Sequence, residues 1–283
     1  MQDHGYFGPT SATWKIGSEA ALLLGGSRAV LMQLAHPLVA LAVNTHSSYM
    51  HDPFGRAERT FLMSQMLAFG STSTARQAAH NINRLHTHVQ GTLPASAGDH
   101  ATGTSYFARD PELLLWVHAT LVDTVLLFYP MFIRPLDQEE QEQYYQESKT
   151  IARLLGLSTA DMPRTVNDLR LYVHDMVYSN RLAGTPQARE LARQVLFPAG
   201  PPVLKPFLYL NLTITCALLP PPIRDIYGLA WSNKQQRVSN LLMRGTRMIT
   251  PHLPTELRIL PITRKMMQEG HLPGSLSDES SIG

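Results

Sequence analysis

Cysteine is almost absent from this sequence, because Cys216 is the only one in 283 residues. No disulfide can therefore form within the chain, which fits a reducing compartment. The first residues, MQDHGYFGPT, also lack the basic and then apolar order of a secretory signal. Together these two absences predict a cytoplasmic protein.

A strong net charge is missing as well. The chain has 24 Lys and Arg against 22 Asp and Glu, a formal charge of +2, which argues against a dedicated nucleic-acid binder. The basic residues are unevenly spread, because seven Lys or Arg between Lys234 and Lys265 face only Glu256. A solvated helix face is the simpler interpretation. Contact with an anionic partner, or a weak association with a membrane surface, is left open.

Several familiar active-site signatures do not occur. There is no Gly-x-Ser-x-Gly elbow of a hydrolase, and Gly25-Gly26 alone does not make a phosphate-binding loop. There is no Glu-x-x-His pair or His-Glu-x-x-His motif, which a di-iron or zinc bundle would require. These absences argue against nucleophilic hydrolysis, nucleotide binding and a non-haem metal centre.

Long apolar runs are present, in keeping with 44% hydrophobic and 16% charged residues. The segment Leu113–Ile133 is long enough to span a bilayer, but it contains His118 and Asp123. The segment Val203–Leu219 is shorter and is interrupted by a proline. We interpret both as buried helices of a soluble protein.

Apolar residues recur at helical spacing along almost the whole chain, and no alternating strand pattern with hairpin turns is found. The sequence therefore predicts an all-α protein with a single domain over residues 1–268 and a flexible Gly- and Ser-rich tail over 269–283. Asp52-Pro53 and Asp110-Pro111 are typical helix starts. Further helices are predicted at 74–90, 137–155, 165–182, 186–196 and 233–250. A helix at 18–42 should be broken at Gly25-Gly26 and Pro37, and Gly91 should end the helix 74–90.

Three of the twelve histidines, His36, His86 and His118, are predicted on apolar helix faces. His86 shares one apolar stripe with Ala78, Ile82, Leu85 and Val89. A buried neutral imidazole needs partners for its ring nitrogens, and either a metal or a backbone carbonyl can serve. Both interpretations stay open for each histidine, and their number suggests a buried polar cavity.

Five segments resemble, in order, the domain shared by bacterial latex-clearing proteins and fungal MpaB-type oxygenases. They are GGSRAVLMQLAHP (25–37), HSSYMHDPFGRAERT (46–60), RLHTHVQGTLP (84–94), DPELLLWVHATLVD (110–123) and PPPIRDIYGLAW (220–231). The resemblance covers roughly Phe7 to Arg264 and is nearest to a short bacterial branch. It implies a helical fold with a globin-like core and a b-type haem as cofactor.

The resemblance also implies roles for particular residues. The family's proximal histidine, the iron ligand, falls on His86. Its distal Arg-x-x-Lys-Thr motif falls on Arg56, Arg59 and Thr60. The lysine of that motif, which can close the sixth position of the iron, is Arg59 here. Since arginine stays protonated and is a poor metal ligand, this protein is not expected to close the sixth position with a side chain.

Other family positions match less well. The arginine that precedes the proximal histidine is replaced by Asn83, although Arg84 follows and is a candidate cofactor-binding residue. A later family histidine corresponds to His118, a second candidate. The catalytic glutamate of latex-clearing proteins has no counterpart, because no acid lies near Ala40. His36 is therefore the candidate for its role.

The sequence thus predicts a haem-b-dependent oxygenase whose partners are dioxygen and a small apolar, isoprenoid-like molecule. Oxidative cleavage of a C=C bond is the family precedent, and hydroxylation, desaturation or the use of peroxide are alternatives. A non-catalytic haem protein that senses, stores or transfers haem is the alternative from another class. A structural helical protein that has lost the cofactor is a third.

Overall fold

Two long helices, Pro53–Phe69 and Pro111–Phe132, begin directly after an aspartate that caps them. Asp52 accepts a hydrogen bond from the backbone N–H of Gly55 at 2.9 Å, and Asp110 accepts one from that of Glu112 at 3.0 Å. In both helices a proline takes the first position, where its missing N–H costs nothing. The computed structural model, which describes residues 3–47 and 52–271, starts both helices where the Asp-Pro pairs predict.

The described residues form fourteen α-helices and one small sheet, so the all-α prediction is confirmed. The helices are α1 Ala12–Gly17, α2 Gly26–Leu34, α3 Pro37–His46, α4 Pro53–Phe69, α5 Thr72–His86, α6 Pro111–Phe132, α7 Gln138–Leu154, α8 Val166–Tyr178, α9 Pro186–Leu196, α10 Lys205–Leu218, α11 Pro221–Tyr227, α12 Asn233–Ile249, α13 Thr255–Arg258 and α14 Pro261–Glu269. Short 3-10 helices lie at Ala20–Gly25, Thr159–Asp161, Pro202–Leu204 and Thr250–His252. Strands β1 Gln90–Thr92 and β2 Ser105–Phe107 pair antiparallel.

The predicted breaks in the segment 18–42 are confirmed. The first piece is the 3-10 helix that ends at Gly25, and α2 follows it directly. The second break lies at Pro37, where the chain bends by 107° between residues 20–34 and α3. His36 becomes the N-cap residue of α3 and Ser47 its C-cap residue. The bend therefore places His36 at the N-terminal end of α3.

The predicted end of the next helix is wrong. α5 stops at His86, and residues 90–92 leave the helix to form β1. Gly91 is consequently no helix cap; a Cβ at this position would lie 2.7 Å from the Tyr106 hydroxyl on β2, so glycine allows the close pairing. Leu85 is 52% exposed, which contradicts its predicted inward position. Three-residue strands carry too little alternation to be seen in a sequence, and main-chain hydrogen bonds define them instead.

α6 lies at the centre of the fold and packs against α2, α7, α8 and α12. Its aromatic side chains Trp116, Phe128 and Phe132 are fully buried. Its one charged interior residue, Asp123, is held at 2.7 Å by the buried guanidinium of Arg28 on α2. The polar residue that interrupts this apolar sequence is thus neutralised within the protein.

Among the described residues, α6 is long and apolar enough to cross a membrane. Residues 20–34 and α3 would add a second span only if these two bent segments together formed a single span. Half of the tested stretch of α6 is buried inside the protein. Length and composition establish no more than this, and the cytoplasmic location stays a prediction.

The second apolar segment, predicted as a buried helix at 203–219, forms α10 but is buried on one side only. Ile214 and Leu218 lie in the core, whereas Phe207 and Tyr209 are 53% and 63% exposed. At the C-terminus, the carbonyl of Gly270 accepts a hydrogen bond from the backbone N–H of Ser71 at 2.7 Å, so ordered contacts reach past residue 268. Most of the predicted tail, 272–283, lies outside the described residues.

Candidate functional site

Two other parts of the chain lie near His86, the last residue of α5. One is the start of α4 with the end of α3, which contributes Arg56 and Ser47, and the other is the turn after β2, which contributes Arg109. Arg56 Nε donates to Ser47 Oγ at 3.0 Å. Burial, and then the positive charges of Arg109 and Arg56, hold the pKa of His86 below its usual value. His86 is therefore a neutral imidazole at neutral pH, with a lone pair that a metal can take.

One ring nitrogen of His86 lacks a partner. Its Nδ1 is buried and, within the part of the chain that the structure describes, makes no hydrogen bond. A buried polar atom left in this way costs about 1–3 kcal/mol. A bound group that takes this nitrogen would remove the cost, and negative charge on the group would be attracted by Arg56 and Arg109. The residues present therefore fit a haem, which offers both an iron and carboxylates.

Arg56 and Thr60 form a fixed pair on one face of α4. The Arg56 guanidinium donates to the Thr60 hydroxyl oxygen, and the Thr60 hydroxyl donates to the backbone carbonyl of Arg56 at 2.9 Å. The two residues lie one helical turn apart, which is why their side chains meet. Arg56 and Thr60 thus meet directly, and Arg56 lies near enough to His86 to lower its pKa.

The sequence also singled out Arg59 and Arg84. Arg59 Nη1 lies 3.3 Å from Asp52 Oδ2, so an ion pair holds it at the start of α4. Arg84 is exposed on α5, two residues before His86. Its cofactor-binding role stays a prediction without support from its position.

His118 lies elsewhere, between α6 and α7. Its Nε2 is 3.4 Å from Ser148 Oγ, whose own hydroxyl donates to the carbonyl of Tyr145 at 2.6 Å. Burial, and then the charge of Lys149, lower the pKa of His118 to about 4. The partner on α7 makes this imidazole part of a helix–helix contact, and the structure does not bring it to the His86 cluster.

His36 lines a cavity of about 360 Å³. The other residues that line it are Asp99, His100, Glu112, Leu115, Tyr172, Met176 and Arg181. The rings of His36 and His100 lie 5.0 Å apart, and within residues 3–47 and 52–271 neither His36 Nδ1 nor His100 Nε2 has a hydrogen-bond partner. Burial, then His100 and then Arg181, lower the pKa of His36 to about 3. The predicted site residues therefore fall into two clusters, with His118 outside both.

Residues 14–248 match the family described as ER-bound oxygenase mpaB/B′ and rubber oxygenase, catalytic domain. The chain belongs to this oxygenase family. It is also 26% identical over 241 residues to a protein of Mycobacterium bovis and to one of Mycobacterium tuberculosis, both described only as uncharacterised. The alignments cover 80% of this chain and 87% of each relative. No solved structure matches the chain, so the globin-like core stays a prediction.

The match to the oxygenase family confirms the resemblance, and the matched residues include both clusters. In the described part of the chain, no group of three or more His, Cys, Asp or Glu is arranged to hold a metal ion.

Two residues of these clusters were missed by sequence reasoning. His100 lies between β1 and β2, and Arg109 follows β2, so both are placed by a hairpin that the sequence does not predict. The excess of histidines is the only signal that points to His100. Nothing in the sequence distinguishes Arg109 from a solvated arginine.

Proposed function

We propose that this protein is a haem-b-dependent oxygenase that uses His86 as the protein ligand of the iron and acts on a small apolar, isoprenoid-like molecule. The observation that supports this most directly is the His86 imidazole, which is half-buried, neutral and, within the described residues, without a hydrogen-bond partner at its buried Nδ1. Family membership supports the oxygenase class. The haem, the substrate and the cleavage of a C=C bond are proposed in addition to what family membership supports.

The cofactor would be held by two residues. His86 would give a ring nitrogen to the iron, and Arg109 would offer positive charge to a haem carboxylate, since charged hydrogen bonds of this kind are the strong ones. Haem bound there would supply an iron that reacts with dioxygen.

Arg56 and Thr60 would act on the distal side. Ser47 and Thr60 already fix the Arg56 guanidinium, so its N–H groups need no reorganisation when charge develops on a bound oxidant. Donors fixed in advance stabilise developing charge more than mobile ones do. Arg59 is paired with Asp52 and would not bind the iron as the lysine of the family motif can.

His36 would contribute hydrogen bonding more than proton transfer. A general base works best when its pKa lies near the working pH, and the pKa of His36 is lowered to about 3. Its cavity of about 360 Å³ lies within the size range of small-molecule sites, and Leu115 and Met176 give it apolar walls. We therefore assign His36 and His100 to the polar end of a ligand in this cavity.

The experiment is an absorption spectrum of the purified full chain, followed by haem titration of the apoprotein. His86→Ala should lose the Soret band, and added imidazole should restore it by taking the empty ligand position. His88→Ala is the matched control, because His88 lies two residues further on and is exposed. Equal haem content in both variants would refute the assignment of His86. Haem binding without oxygen-dependent loss of a linear isoprenoid would instead favour the non-catalytic haem protein.

A further inference from the structure

Exposed apolar side chains are concentrated in one part of this protein. Of the sixteen large hydrophobic residues that are exposed in the described structure, eight lie between residues 203 and 257, about a fifth of the chain. They are Val203, Phe207, Tyr209, Val238, Leu241, Met248, Ile249 and Leu257. Most of them belong to α10 and α12, which pack against each other. Single exposed apolar residues are ordinary, but a concentration of this kind marks an interaction surface.

α12 has two apolar faces, only one of which is used inside the protein. Ser239 and Met243 are buried and form the inner face. Leu241 and Met248 are 73% and 74% exposed and lie seven residues apart, on the opposite side of the helix. A helix that only needed to cover the core would carry polar residues at these two positions.

The outer face of α12 is also basic. The helix sequence NKQQRVSNLLMRGTRMI contains four Lys or Arg and no acid. Arg237 lies four residues before Leu241, and Arg244 lies four residues before Met248, so each arginine shares the outer face with an exposed apolar side chain. Both arginines are exposed, and in the described residues neither is in an ion pair.

We propose that the α12 outer face, formed by Lys234, Arg237, Leu241, Arg244 and Met248, docks the protein on a membrane surface that contains anionic lipid. Apolar side chains of such a helix enter the boundary between headgroups and acyl chains, while arginines extend their charged ends to lipid phosphates. Phe207, exposed on the adjacent α10, adds apolar surface next to it.

A second copy of the chain is a poorer occupant of this surface. In a two-fold symmetric contact the same face meets itself, so the three basic side chains of one outer face would meet three of the other without an acid on either helix. An anionic lipid surface satisfies both the charge and the apolar side chains. The proposal stands without the haem assignment, since none of its residues belongs to the His86 cluster.

The test is co-sedimentation of the full chain with vesicles of phosphatidylcholine alone, or of equal parts of phosphatidylcholine and phosphatidylglycerol. Binding should favour the anionic vesicles and weaken with salt. Arg237→Gln with Arg244→Gln should reduce affinity about 30-fold, since each basic residue near the surface contributes about 1 kcal/mol. Leu241→Ser with Met248→Ser should reduce it at least about tenfold.

Leu171→Ser is the control, because Leu171 is 62% exposed but lies on α8, outside the surface. It should bind like the unaltered protein, and circular dichroism should show that all three variants are folded. The proposal is overturned if the unaltered protein does not co-sediment with anionic vesicles, or if the control loses as much binding as the α12 variants. It is also overturned if the α12 variants abolish a dimer, because the surface would then join two copies.

Discussion

The guanidinium of Arg56 and the hydroxyl of Thr60 are hydrogen-bonded one turn apart on α4, and Arg56 also lowers the pKa of His86. A single side chain therefore connects the two halves of the proposed haem site. Substitutions at these positions separate what Arg56 does for the cofactor from what it does for the reaction.

Arg56→Ala and Thr60→Ala should keep haem but lose turnover. Removing a fixed donor that meets developing charge costs about 10²–10³ in rate, roughly 2.7–4 kcal/mol. Haem content by absorbance and oxygen consumption with a linear isoprenoid are the two measurements. Arg193→Ala, on an exposed arginine of α9, is the control and should change neither. If Arg56→Ala loses haem first, Arg56 binds a haem carboxylate; if neither quantity changes, the distal assignment is wrong.

The ferric protein should have an accessible sixth position. Arg59 is paired with Asp52, and arginine does not ligate iron. Cyanide or imidazole should therefore shift the Soret band readily. Arg59→Lys should slow this uptake, because lysine can supply a competing nitrogen. A ferric spectrum of the unaltered protein with two protein nitrogen ligands, insensitive to both additions, would favour the non-catalytic haem protein.

Removing Arg28 should destabilise the fold strongly. Its guanidinium is buried and binds Asp123 at 2.7 Å, Thr124 at 2.6 Å and the carbonyl of Leu218 at 2.9 Å. Breaking one partner of such a buried pair costs about 3–5 kcal/mol. Arg28→Met should lower the urea midpoint accordingly. Arg28→Met with Asp123→Leu should recover part of the loss, and Arg193→Met, in an exposed ion pair, should have little effect.

His118 should make stability depend on pH. Its pKa is about 4 in the folded protein and 6.5 in the unfolded reference. The unfolded chain therefore binds the proton first, so the stability contributed by the neutral imidazole is complete above pH 6.5 and falls as the pH drops towards 4. His118→Asn should reduce the change of the urea midpoint with pH over this interval, whereas His88→Asn should not. If the urea midpoints of both variants changed equally with pH, the pH dependence would not come from His118.

Local signals predicted much of the helical framework. Asp52 and Asp110 each cap a helix whose first position is a proline, and both starts depend only on neighbouring residues. The proximal histidine was placed by the family resemblance and by a helical stripe that is partly wrong, because Leu85 on that stripe is exposed. The end of α5 was missed because β1 is fixed by pairing with β2, which lies further along the chain.

The two-cluster arrangement was beyond sequence reasoning for the same reason. His36 and His100 meet only because the chain bends at Pro37 and the hairpin folds back. His118 looked equivalent to His86 by periodicity, yet its partner, Ser148, lies on α7, thirty residues away in sequence. Which apolar face of a helix meets which neighbour is decided by the assembled fold.

α3 joins the two clusters as a rigid spacer. His36 is the residue just before this ten-residue helix and Ser47, which holds Arg56, is the residue just after it. Ten helical residues span about 15 Å, and one residue more or fewer turns the far end by about 100°. A single insertion within α3 would carry Ser47 away from Arg56 while leaving His36 in place. Length variation among relatives should consequently be excluded from this helix and confined to the chain on either side.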